Sequence, residues 1–170
     1  QIVDVIDVSR RTVLHYLAMG ISECSYAATF ISKLATHENV NTKDWDERTA
    51  LHLLAMGLSE KPDAADVLLP IISKFATHEN VNAKDCDGRT ALHYLAKGMS
   101  EKPDAADKLL PLISEHITPE NVNAIDCDGR TVLHYLAKGI LEKPGSTDKL
   151  LPIISKFATH ENVTTKDCDE

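Results

Sequence analysis

One phrase recurs along this chain at a nearly fixed interval. Thr-x-Leu-His begins at Thr12, Thr49, Thr90 and Thr131, giving spacings of 37, 41 and 41 residues. Laid together without a gap, 49–89 and 90–130 agree at 31 of 41 positions. Internal repetition with a period of roughly 20 to 50 residues marks a stacked architecture in which no unit buries its apolar stripe alone. A catalytic centre needs one constellation of groups, so a phrase restated four times reports architecture before it reports chemistry.

Each unit reads the same way. In "VNAKDCDGRT", Asn82, Asp85, Asp87 and Gly88 surround a projecting turn, since these residue types tolerate left-handed geometry or bond their own backbone. Thr90 stands where an N-cap belongs, Leu92, Leu95 and Ala96 follow at helical spacing, and Gly98 is expected just past the end of a helix of about two turns. A second, longer helix follows, with Ala65, Leu68, Ile72 and Phe75 on one stripe and Pro62 in its first turn. Pro70 removes the bond to the Asp66 carbonyl, so a kink or a break into two helices is expected there. The first unit is shorter by four residues, close to one helical turn, which leaves its stripe facing nearly the same way.

Turn, short helix, second helix and the phrase Thr-x-Leu-His-x-x-Ala resemble the ankyrin repeat. The preceding "VNAKD" falls in that family's order and spacing as well. The resemblance implies an all-α fold, an ankyrin-repeat solenoid of stacked helix-turn-helix units with projecting β-turns. It covers 1–170 as a single array, with units at approximately 7–43, 44–84, 85–125 and 126–166. Three departures stand out. Val13, Ala50, Ala91 and Val132 replace the usual Pro after Thr; "HEN" or "PEN" replaces Gly-Ala-Asp; and the units exceed the usual length of about 33. Val3 to Thr12 aligns in phase with Val81 to Thr90, and 163–170 begins a further turn, so partial repeats are expected at both ends of a segment of a longer array.

The reactive residue types follow the same repeat. By the resemblance, His15, His52, His93 and His134 bond backbone groups of their own and neighbouring turns together with the Thr hydroxyls. His37, His78 and His160, in "THEN", are expected to cap the end of the second helix. Cys86, Cys127 and Cys168 share one turn position, where unit two has Trp45, while Cys24 lies elsewhere. Stacked helices lie about 8 to 10 Å apart, beyond the roughly 7 Å between Cα atoms that a disulfide allows and far beyond a shared zinc. Free thiols fit a reducing, intracellular setting. "DCDG" puts its glycine fourth and not sixth, and no suitably placed Glu follows, so it is turn chemistry and not a calcium loop. Asn162-Val163-Thr164 matches a glycosylation acceptor, a motif common by chance. No phosphate loop, nucleophile elbow or HExxH is present. No catalytic residue, cofactor or metal is therefore expected.

A net charge of -8 argues against a general nucleic-acid or anionic-membrane binder, and no apolar run approaches the roughly 18 residues that span a bilayer. What is left is surface. The resemblance places partner contacts at the second, third and fifth residues of the turn phrase and just after the first helix, on a concave face. Those positions are Trp45, Asp46, Arg48 and Met56; Cys86, Asp87, Arg89 and Lys97; Cys127, Asp128, Arg130 and Lys138; and in unit one Val8, Ser9, Arg11 and Met19. Trp45 is the sole tryptophan. At a turn tip it either strands a large apolar surface for a partner, as binding hot spots do, or packs on a neighbouring turn. Arg48, Arg89 and Arg130 either engage carboxylates of a ligand or pair with Asp46, Asp87 and Asp128.

The expected function is a non-catalytic protein-binding module on a monomer, within a larger intracellular protein such as a scaffold, a regulator or an effector delivered into a host cytoplasm. The alternative is a structural or assembly array of a channel, a toxin or a self-associating scaffold.

Overall fold

The computed structural model describes residues 5–20, 25–36, 38–102 and 105–158, and among them every regular element is helical. Four of the helices carry the repeated phrase: α1 (Val13–Gly20), α3 (Ala50–Glu60), α6 (Ala91–Glu101) and α9 (Val132–Glu142). Each is followed by a partner: α2 (Ser25–Leu34), α4 (Ala65–Phe75), α7 (Ala106–His116) and α10 (Thr147–Phe157). Two short helices, α5 (His78–Asn82) and α8 (Pro119–Val122), complete the middle units, and Asn39–Asn41 forms a 3-10 turn at the same place in unit one.

The repeat period becomes rows. α1, α3, α6 and α9 pack in that order, α2, α4, α7 and α10 pack in a second row, and each helix touches its partner within the unit. The turn Asn39–Asn41, α5 and α8 form a third row. One cluster of buried side chains runs through the stack from Leu14 to Ile153. The expected stripes are in it: Leu92, Leu95 and Ala96 on α6, and Ala65, Leu68 and Ile72 on α4. The side chain of Phe75 lies outside the described residues. Burying one such leucine contributes about 1.5–3 kcal/mol before chain entropy is subtracted, so a helix with one apolar stripe depends on the next layer for its stability.

α3, α6 and α9 each start at a threonine in extended geometry, such as Thr90 with φ -94° and ψ 168°. The third helical residue is the histidine, whose Nδ1 accepts the Thr90 backbone N–H at 3.1 Å. Histidine thus fills the place that Glu holds in an ordinary capping box. The helix then runs 11 residues in α3, α6 and α9, longer than the two turns expected. Gly98 is not past its end. It is buried inside α6, and a Cβ built on it would lie 2.6 Å from Cα of Ser59 on α3. The same relation joins Gly139 to Ser100, at 2.7 Å. These glycines are absent side chains that let successive first helices touch, and the helices end instead at Lys61, Lys102 and Lys143.

In the second helix the break, one of the two alternatives expected at Pro70, does not occur. Pro62–Ala64 is a 3-10 turn, and α4 continues from it through Pro70 without a break. Pro70 and Asp66, whose carbonyl loses its helical partner, are both on the solvent side. The freed carbonyl belongs to an exposed residue, where solvent can serve it, and the exposed proline ring displaces no core contact. Pro111 and Pro152 lie inside α7 and α10 in the same way.

The phrase "THEN" does not cap the second helix through its histidine. It opens a new helical turn: Thr77 is the N-cap of α5, its N–H donates to Oδ1 of Asn80 at 2.8 Å, and the Asn80 N–H donates back to Thr77 Oγ1 at 3.3 Å. Thr36 with Asn39 and Thr118 with Asn121 do the same. The asparagines are almost wholly buried, and their side-chain amides are used as well, with Nδ2 of Asn121 donating to the His116 carbonyl at 2.8 Å. His78 is simply the exposed first residue of α5, 3.2 Å from Glu120. His37, His160, Cys24 and Cys168 lie outside the described residues.

Candidate interaction surface

The projecting turns are organised by an aspartate at their base. In unit three, Oδ1 of buried Asp85 accepts the backbone N–H groups of Asp87 at 3.0 Å and Arg89 at 2.9 Å. The chain closes on itself through Gly88 N–H to Asp85 O and Asp85 N–H to Arg89 O, each 3.0 Å. Asp7, Asp44 and Asp126 build their turns identically. The fourth turn residue is left-handed throughout: Arg10 at φ 58°, Glu47 at 60°, Gly88 at 73° and Gly129 at 74°.

The other oxygen of the aspartate is held from the helix behind it. Tyr16 donates to Asp7 at 2.5 Å, Tyr94 to Asp85 at 2.5 Å and Tyr135 to Asp126 at 2.6 Å. Burial above all, and then the adjacent carboxylate, push the Tyr135 hydroxyl up to about 12. Burial opposes ionisation of Asp126, but the Tyr135 hydroxyl and the Arg130 and Asp128 N–H groups outweigh it, so this carboxyl sits below its ordinary value. Unit two has Leu53 in place of the tyrosine, and Asp44 is met instead by Arg11 and Arg48, both at 3.3 Å. Sequence reading missed this link. Its signal was a tyrosine nine residues after the aspartate in three of the four units.

Histidine ties each unit to the next. With Nδ1 accepting a backbone N–H, the ring proton must be on Nε2, and there it meets carbonyls of the following turn: Arg48 for His15, Ala83 and Arg89 for His52, Ala124 and Arg130 for His93. Burial is the chief reason that His15, His52 and His93 all sit below the ordinary imidazole value. These rings are fully occupied neutral connectors, with no face free for a substrate.

The tips themselves are strapped together through the backbone. Trp45 N–H donates to Ser9 O at 3.1 Å, Cys86 to Asp46 O at 2.9 Å and Cys127 to Asp87 O at 2.7 Å. The side chains of these donors, and of Val8 before them, point outward, and Trp45 is 71% exposed. Trp45 does not pack away on a neighbouring turn. Cys86 and Cys127 are exposed thiols, and desolvation followed by Asp128, Asp87 and Asp126 pushes the Cys127 thiol up, away from the reactive thiolate.

The arginines face inward along the same row. Arg48 pairs with Asp46 and Asp44. Arg89 reaches Asp87 at 3.2 Å and crosses to Asp126 and Asp128 of the next turn at 3.6 and 3.7 Å. Arg130 pairs with Asp128 at 3.3 Å, and Arg11 with Asp44 and Asp46. Beyond the turns, Met56 is half-buried, Met19 is exposed, and exposed Lys97 and Lys138 sit 3.8 and 3.6 Å from Glu101 and Glu142 on their own helices.

Among the described residues no group of three or more His, Cys, Asp or Glu is placed to hold a metal ion, and no helix is long and apolar enough to cross a membrane. No protein-family model matches the chain, and no curated protein is significantly similar to it.

Proposed function

We propose that the chain is a non-catalytic protein-binding array of the ankyrin-repeat class, engaging a protein partner with its turn tips and the concave face behind them. The observation that carries this reading is Trp45, an indole left 71% exposed at a tip whose backbone is fixed on both sides. A large, rigid, apolar side chain on a preorganised backbone is the kind of anchor that dominates protein interfaces. Met56 and the exposed Lys97 and Lys138 extend the surface toward the later layers, while Asp46, Asp87 and Asp128 with Arg48, Arg89 and Arg130 form the frame that sets tip geometry. Occupied histidines, a poorly ionised Cys127 and a sequence without a nucleophile motif support the absence of catalysis.

The test uses Trp45 both as anchor and as reporter, since no other tryptophan contributes to the signal. Iodide quenches its fluorescence in the free chain, and quenching is suppressed in the complex with a protein captured from the source cells. Trp45→Ala leaves the circular dichroism unchanged and abolishes capture. Capture of the same protein by Trp45→Ala would defeat the reading. Concentration-dependent self-association without any partner would favour an assembly array instead.

A further inference from the structure

The two ends of the stack are unlike each other. Val13, Tyr16 and Phe30 in unit one are 39%, 51% and 53% exposed, whereas Val132, Tyr135 and Ile153, which hold the same positions in unit four, are 0%, 8% and 3% exposed. α9 and α10 have neighbours α6 and α7 before them and no described helix after them. What closes these positions is therefore the preceding layer. The α1–α2 face presents the same apolar side chains with no described helix against them.

A second observation is independent of exposure. Gly98 and Gly139 are where a preceding first helix comes within 2.6–2.7 Å of a virtual Cβ, through Cα of Ser59 and Ser100. Gly20 holds that position in α1 and has no atom within 4 Å of where its Cβ would be. The notch is present without the helix that fits it.

The opposite face does not carry the complementary part. Ser59 and Ser100 lie at the contact, and Oγ of Ser59 donates to the Tyr94 carbonyl of the next layer at 2.5 Å. Unit four has Leu141 there, 83% exposed. A leucine Cγ in the place of that Oγ would press on the carbonyl, because the close approach leaves room for a hydroxyl and no more. A second copy of this chain therefore does not fit end to end by its α9–α10 face.

We propose that the α1–α2 face is a docking surface for one further layer of this repeat, whose first helix presents serine or an equally small residue to Gly20, and that Leu141 bars a layer from docking in this register at the other end. The surface continues the contact that joins α3 to α1 and α6 to α3.

The test extends the whole chain by one unit at either end. Residues 44–78 placed ahead of Gln1 keep the phase, so that the copy of Ser59 falls 39 residues before Gly20, the separation of Ser59 from Gly98. Residues 89–129 placed after Glu170 extend the other end in phase. The expected result is a raised urea midpoint for the front extension, lost on Gly20→Leu, while Gly20→Leu does not weaken the unextended chain. The rear extension raises the midpoint only with Leu141→Ser. The proposal is overturned if the front extension gives no gain, if its gain survives Gly20→Leu, if Gly20→Leu weakens the unextended chain, or if the rear extension behaves alike with and without Leu141→Ser.

Discussion

Nε2 of His93 lies 3.0 Å from the carbonyl of Ala124 and 3.2 Å from that of Arg130, so one ring proton of unit three holds both strands of the next turn. Its Nδ1 faces the Thr90 N–H, and a second proton there would set donor against donor. His15 and His52 are placed alike, and burial holds all three below the ordinary value of 6.5. The unfolded chain consequently takes up protons that the folded chain refuses. Stability is full above about pH 6.5 and falls below it, by up to about 1.4 kcal/mol per pH unit for each ring. Urea midpoints measured across that range report the loss; a flat profile from neutral to about pH 5 would refute it.

Gly98→Ala drives a methyl group against backbone of α3, since the nearest atom is Cα of Ser59 at 2.6 Å. We expect a loss of about 1–3 kcal/mol, against the gain of up to about 1 kcal/mol that alanine brings to an exposed helix interior. Gly20→Ala, in open space, shows only the gain. Parallel urea unfolding of the two variants reads the difference.

The left-handed turn position separates the units by sign. Glu47→Gly and Arg10→Gly relieve φ values of 60° and 58° and should each stabilise by about 0.5–1 kcal/mol. Gly88→Ala meets both the positive φ and the Asp126 backbone, with Cα 3.3 Å from the new Cβ, and should destabilise by more than about 1 kcal/mol. Thermal midpoints of the three variants check the ordering.

Tyr135→Phe removes the 2.6 Å donor from buried Asp126 and leaves the carboxylate oxygen short of a partner. A cost of about 1.5–3 kcal/mol follows, and the Asp126 carboxyl should rise, because the hydroxyl is the foremost of the groups that hold it down. NMR titration of the Asp126 carboxyl carbon distinguishes this from simple loss of packing.

What the sequence disclosed was the local frame of each unit. The Asp85 turn, the Thr90 start of α6 and the Leu92, Leu95, Ala96 stripe follow from local propensity and spacing. What it concealed lies between units or in residues with two physical uses. Gly98 was read as a helix terminator because glycine commonly ends helices; only the approach of Ser59 reveals the other use. Pro70 signalled a kink or a break, and the break does not occur because the carbonyl it frees belongs to solvent-side Asp66 and needs no protein partner. "THEN" opens a helical turn through a reciprocal Thr77–Asn80 pair, a capping box with Asn where Glu or Gln is usual. Trp45 stands at the expected tip, and the arginines beside it turned to the carboxylates of their own row.

The backbone bonds from Trp45 to Ser9, Cys86 to Asp46 and Cys127 to Asp87 turn the row of tips into a ruler. Its graduations cannot slide singly, because moving one tip strains the bonds on either side. A ligand that touches two tips must carry its own features at the same pitch, and lengthening the array adds whole graduations and never fractions.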